Sequence, residues 1–117
     1  MNAEIIRDHC LLKKGATEEF PFDEDTLVFK VMGKMFLLMS LDGDLSINLK
    51  CAPEKAVELR EQYPSILPGY HQNKKHWNTV LIDGSVSWQL ISQWIDESYD
   101  LVVSNLTKDK KASLSVK

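Results

Sequence analysis

Residues 69–77 read Gly-Tyr-His-Gln-Asn-Lys-Lys-His-Trp and hold two lysines, two histidines and two aromatic rings without a single acid. Cations interleaved with aromatics suit a nucleic-acid backbone and its stacked bases. Lys74 and Lys75 can neutralise phosphates, while His71, Gln72, Asn73 and His76 can hydrogen-bond phosphates or base edges. The blander alternative keeps Lys74 and Lys75 for solubility and uses His71 and His76 to tie down a loop. Trp77 leads into a strand, where core or core edge is the first expectation, ahead of a base-stacking platform.

Other chemistries find less support. No Gly-rich phosphate loop and no Gly-x-Ser-x-Gly elbow is present. None of the three histidines sits in a motif that pairs it with a nucleophile, so the expectation is no catalytic residue, no cofactor and no enzyme. His71 and His76 are five apart with no evident third ligand, which argues against zinc. Cys10 and Cys51 are too distant in sequence for a redox pair or a zinc knuckle and are expected as reduced, mostly buried thiols.

The elements that must position the 69–77 segment follow from periodicity. Residues 3–13 read as a helix capped by Asn2, with Ile5, Ile6, His9 and Leu12 on one side. Residues 16–25 read as an acidic loop, with Phe20, Pro21 and Phe22 expected to pin it to the core. Thr26 to Met32, Met35 to Leu41 and Leu45 to Lys50 read as an antiparallel meander. Gly33-Lys34 is expected as a type II′ turn and Asp42-Gly43-Asp44 as the second turn. Pro53 opens a helix that ends before Pro64, its charged residues reading as a solvated face. Residues 65–77 are the least regular stretch, followed by a strand over 78–82. A last helix over 88–106 carries Leu90, Ile91, Trp94, Ile95, Leu101, Val102 and Leu106 on one arc. The fold class is α+β, two layers, with a sheet of about five strands. Residues 1–107 form one domain and 108–117 a basic, flexible tail.

Composition narrows the partners. The net charge is −3 over 117 residues, which disfavours a strong general DNA binder. Residues 1–63 hold eight Lys and Arg against twelve Asp and Glu, and residues 64–117 hold six against five, so an anion-binding face belongs to the second half. The longest dense apolar stretch, Met35 to Leu41, is too short to span a bilayer. The acidic polar face of the last helix does not suit a membrane surface. The N-terminus lacks a basic-then-apolar leader, and a cytoplasmic location is expected.

Several segments together carry a resemblance: Lys14-Gly15-Ala16, Phe20-Pro21-Phe22, Val31-Met32-Gly33-Lys34-Met35-Phe36, Leu49-Lys50-Cys51 and Pro53-Glu54. So do Leu59-Arg60, Pro68-Gly69-Tyr70-His71, Asn73-Lys74-Lys75-His76-Trp77-Asn78-Thr79 and Ser98-Tyr99-Asp100-Leu101-Val102. In order and spacing they resemble the MmcQ/YjbR family of small bacterial proteins over nearly the whole chain. The resemblance implies a CyaY-like fold and a double-wing DNA-binding module without enzymatic activity. Carried over residue by residue, its reading loop is His71, Asn73, Lys74, Lys75, His76 and Trp77, with DNA or another nucleic acid bound at modest affinity. Two alternatives stand beside it. One is a protein-interaction or scaffold domain. The other, prompted by the iron-handling members of CyaY-like folds, is a weak metal handler using the acidic residues of 18–25.

Overall fold

The structure, a computed structural model, describes residues 1–69 and 73–116. In chain order the elements are α1 (Ala3–Leu11), β1 (Ala16–Glu19), β2 (Thr26–Val31), β3 (Lys34–Ser40) and β4 (Ser46–Lys50). They continue with α2 (Pro53–Gln62), β5 (Ile66–Pro68), β6 (Trp77–Leu81), α3 (Trp88–Ser104) and α4 (Lys108–Ser115). The strands form one open antiparallel sheet in the order β1-β2-β3-β4-β6-β5.

The helices cover one face. Leu27, Phe29, Val31, Phe36, Leu37, Met39, Ile47, Leu49 and Val80 from the sheet pack with Ile91, Trp94, Ile95, Tyr99 and Val102 of α3 and Ile6 and Cys10 of α1. The opposite face carries a smaller cluster of Val28, Leu38 and Trp77 with Met35 against it, and no helix residue contributes to it. Between these apolar side chains Thr79 donates to Asn48 Oδ1 at 2.7 Å, so both buried polar groups are satisfied there.

The meander has one irregularity that matters. Phe29 pairs with Leu37 and Lys30 with Met35, which leaves Phe36 as an extra residue in β3. Such a bulge takes the extra residue out of the ladder. Ser98 of α3 supplies the missing partner: its hydroxyl donates to Phe36 O at 2.6 Å and accepts from Lys50 N at 2.9 Å. One fully buried serine therefore ties β3, β4 and α3 together.

Several expectations change on contact with the structure. The β2–β3 turn is Met32-Gly33, with φ of 50° and 82°, since Val31 pairs with Lys34. Two positive φ values make it a type I′ turn in place of type II′, the twist that best matches the flanking strands. The sheet has six strands. β1 falls within the stretch read as an acidic loop and β5 within the stretch read as irregular; both are short edge strands with one neighbour each. Phe20 and Phe22 do not pin anything: they are exposed. In α1, Ile6 and Cys10 are the buried pair, and Ile5 and Leu12 face out. The segment read as a flexible tail forms α4, capped by the Thr107 side chain, with Leu114 buried in the main core and Lys14 donating to Ser115 O. A single apolar anchor and a good N-cap are enough to dock eight residues whose composition is otherwise polar.

Cys10 and Cys51 are free thiols. Burial pushes Cys10 up to about 12, and burial raises Cys51 as well. Neither has the depressed pKa of a reactive thiolate.

Candidate nucleic-acid interface

The 69–77 segment leaves β5 and returns into β6, so the paired ends of these strands form its root. Gly69 N donates to Trp77 O at 2.9 Å. A Cβ on Gly69 would fall 2.7 Å from Trp77 Cβ and 2.9 Å from its carbonyl oxygen, so no other residue fits without moving β6. Gly69→Ala is expected to destabilise the domain by about 1–3 kcal/mol, the usual range for forcing extra atoms into a packed site, read from urea unfolding.

Past the root, Asn73 builds the turn. Its Oδ1 accepts from Lys75 N at 2.9 Å, and its carbonyl accepts from His76 N and Trp77 N. Arg60 of α2 donates to Lys74 O, and His76 O accepts from Cys51 N at 2.7 Å. The returning limb is thus held by α2 on one side and by the end of β4 on the other. This leaves the Lys74 and Lys75 side chains exposed and His76 half-buried.

Of the six residues expected to form the reading loop, the structure brings Asn73, Lys74, Lys75, His76 and Trp77 together; His71 lies outside the described residues. Trp77 has a different role from the others. It is 8% exposed and packs with Val28 and Leu38, too little open surface for a base to stack on. It is the anchor of the loop, and the core expectation for it holds.

Two adjoining concavities of about 390 and 320 Å³ lie beside this turn. The first takes in Lys50, Asn73, His76, Trp77 and Asn105; the second takes in Lys34, Lys50, Trp77 and Asn105. Among the described residues no acid lines either. The register explains the convergence: Lys50 pairs directly with Trp77, so the end of β4 lies beside the root of the loop. Lys34 opens β3 at the same end of the sheet, and Asn105 closes α3 above it. Lys34, Lys50 and Asn105 were missed from sequence because no local pattern links them to residues 73–77.

The electrostatics sharpen the contrast with the rest of the surface. Among the described residues, Arg7 pairs with Glu18, Lys13 and His9 with Asp96, Lys30 with Glu19, and Lys55 with Glu97. Lys34, Lys50, Lys74 and Lys75 take part in none of these pairs. Unpaired cations around an acid-free groove form a field that attracts anions. The acidic segment behaves in the opposite way. Arg7 holds the Glu18 carboxyl below the usual range through a hydrogen bond, and Glu19 is committed to Lys30. Among the described residues no three of His, Cys, Asp and Glu gather as a metal site, so residues 18–25 do not form the cluster a hard cation wants. No helix among those residues is long and apolar enough to cross a membrane.

Comparison with known proteins places this architecture. The YjbR family model matches residues 11–101. The chain is 46% identical over 90 residues to the uncharacterised protein YbdF of Escherichia coli O157:H7, covering 76% of this chain and 74% of that one. It is 31% identical over 115 residues to the uncharacterised protein YjbR of Escherichia coli K12, covering 97% and 98% of the two chains. A crystal structure of a Deinococcus radiodurans protein with a DUF419 domain superposes with a TM-score of 0.92 at 40% identity, over 97% of this chain and 88% of that one.

Proposed function

This chain belongs to the YjbR family, and from that premise we propose that it is a non-enzymatic, cytoplasmic module that binds nucleic acid through the groove beside residues 73–77. The observation that carries the reading is the acid-free groove. Lys34 and Lys50 line it, Lys74 and Lys75 extend it along the exposed turn, and none of the four has a carboxylate partner among the described residues. Lysine ammonium groups at these positions contact phosphates, and Asn73, His76 and Asn105 supply hydrogen bonds to phosphate or sugar. With Trp77 buried, the described residues of the groove offer no exposed indole for stacking, and their lysines make charge the leading contribution to binding. The overall charge of −3 keeps the affinity modest, roughly in the 10⁻⁴–10⁻⁶ M range of non-specific binders near physiological salt.

The test is fluorescence anisotropy with labelled single- and double-stranded DNA and RNA over a salt series. Saturable binding that weakens with salt is expected. The Lys74→Ala, Lys75→Ala double variant should flatten the slope of log K against log salt by about 1.8 on duplex DNA, roughly 0.9 for each lost phosphate contact. Absence of binding at low salt, or a slope indifferent to the double variant, would sink the reading for this groove.

A second reading, a protein-interaction domain, draws on Phe20 and Phe22. They are 51% and 62% exposed amid Asp23, Glu24 and Asp25, and exposed aromatics are frequent anchors of protein contacts. A protein partner retained by the parent and lost with Phe20→Ser, Phe22→Ser, alongside no nucleic-acid binding, would favour this reading over the first.

A further inference from the structure

We propose that a second copy of this chain docks head-to-tail on the basic end of the sheet, placing the Phe22 ring of its 20–25 loop in the cavity between α2 and α3. The inference rests on the reading of the groove beside residues 73–77 as an anion site, and adds a protein competitor for it.

The inserting surface is built at one end of the sheet. Thr26 pairs with Ser40 and Ser40 with Ser46, so the β1–β2 loop and the β3–β4 turn lie side by side there. Leu41 N donates to Asp25 O at 2.7 Å, and Asp23 Oδ1 accepts from Asp25 N and Thr26 N. The loop is thus held in one conformation, yet Phe20, Phe22 and Leu41 remain exposed. Asp23, Glu24, Asp25, Asp42 and Asp44 share these segments, and neither 15–29 nor 35–49 contains a Lys, Arg or His. Apolar side chains grouped on the surface mark an interaction site, and a loop already ordered loses little freedom on binding. The carboxylates require a basic partner.

The receiving surface lies at the other end of the same sheet, where Val31 pairs with Lys34 and Lys50 with Trp77. The cavity there measures about 400 Å³ and is walled by Leu49, Leu59, Ile66, Val80, Trp94 and Leu101 among others. It shares Lys50, Cys51, Ala52 and Leu101 with the larger concavity of the basic groove, so the two adjoin. Arg60, next in sequence to the cavity-lining Leu59, donates to Lys74 O and sets the lysine turn beside the same cavity. Of the two acids on the cavity wall, Glu97 is tied to Lys55, leaving Asp100 against Lys34, Lys50, Lys74 and Lys75.

The spacing of the loop matches this juxtaposition. Asp23, Glu24 and Asp25 directly follow Phe22. At roughly 3.3–3.6 Å per residue they extend no more than about 10 Å from a ring seated in the cavity, over the lysines that border it. Because the two surfaces occupy opposite ends of one sheet, a single chain cannot join them within itself. The contact is heterologous, and every added chain carries one surface of each kind. A phosphate backbone and the loop compete for the same lysines, so nucleic acid disperses the assembly.

Sedimentation equilibrium of the full chain over a concentration series at low salt tests this. The average mass is expected to rise above 13.4 kDa with concentration and to fall back as salt screens the charges. Two variants divide the interface: Phe20→Ser, Phe22→Ser on the inserting side and Lys74→Glu, Lys75→Glu on the receiving side. All four side chains are exposed, so urea unfolding of both should match the parent. Each variant alone should self-associate at least about tenfold more weakly. Mixed, they retain one intact surface each and should form a 1:1 complex of parental affinity that grows no further. A parent that stays at 13.4 kDa throughout overturns the proposal. So does self-association indifferent to either variant, or a mixture that fails to complement. Anisotropy with nucleic acid, run separately, keeps the two readings apart. A monomeric parent that binds nucleic acid ends this inference alone, and complementing variants of a parent that binds none uphold it.

Discussion

Trp77→Ala is expected to abolish nucleic-acid binding for a reason unrelated to contact with the nucleic acid. Trp77 is 8% exposed and packs with Val28 and Leu38 on the face of the sheet that no helix covers. Removing a buried indole leaves a cavity and costs about 3–5 kcal/mol, a large part of the stability of a domain this size. Gly69 and Asn73 are joined to the backbone of Trp77, which alanine keeps, so the turn bearing Lys74 and Lys75 is loosened only through the packing lost beneath it. Trp77→Phe keeps a ring in the site and separates the two effects. Urea unfolding of Trp77→Phe should show a loss of well under half that of Trp77→Ala, and anisotropy should show binding close to that of the parent. If Trp77→Phe stays fully folded but loses affinity about tenfold, the indole contacts the ligand directly and the assignment of Trp77 as an anchor is wrong.

Ser98→Ala should cost nearly as much although it deletes one atom. The hydroxyl of Ser98 donates to Phe36 O and accepts from Lys50 N, and all of this lies beneath α3 with the serine fully buried. Removing it strands a buried carbonyl and leaves the Lys50 N–H without its acceptor. Each stranded buried group costs about 1–3 kcal/mol, so a total of about 2–4 kcal/mol is expected in chemical denaturation. Ser98→Thr keeps the hydroxyl and should recover part of it, less the crowding of one methyl group. A Ser98→Ala variant within about 0.5 kcal/mol of the parent would mean that the bulge at Phe36 finds another donor.

How far the sequence carried the interpretation depends on where each signal lies. The β2–β3–β4 meander and α3 are legible because their patterns are local: alternation between tight turns, and a long apolar stripe at helical spacing. β1 and β5 are illegible for the complementary reason. Ala16–Glu19 holds Ala16, Glu18 and Glu19, poor strand material that is recruited by pairing with β2. Ile66–Pro68 is three residues long and exists only because β6 lies beside it. Ser98 lies in a segment that resembles the family, yet its role is invisible locally, because the bulge it serves is a tertiary event 62 residues away. The candidate site divides along the same line. Residues 73–77 stand out by composition, whereas Lys34, Lys50 and Asn105 join them only through the register of β4 with β6 and the end of α3. Trp77 was ambiguous because an indole serves equally well as wedge or platform until its neighbours are known.

An open sheet with two free margins is ordinarily an invitation to polymerise, since any extended segment can dock along it and continue the ladder. Here the outermost strands are four and three residues long. β5 ends in Pro68, which has no N–H to offer an incoming strand. β1 carries adjacent Glu18 and Glu19, tied to Arg7 and Lys30, and charged side chains on a short strand blunt an edge. Fibre formation and strand donation are thereby discouraged at both ends of the sheet. Partners of this domain must be recognised by its side chains, not captured by its backbone.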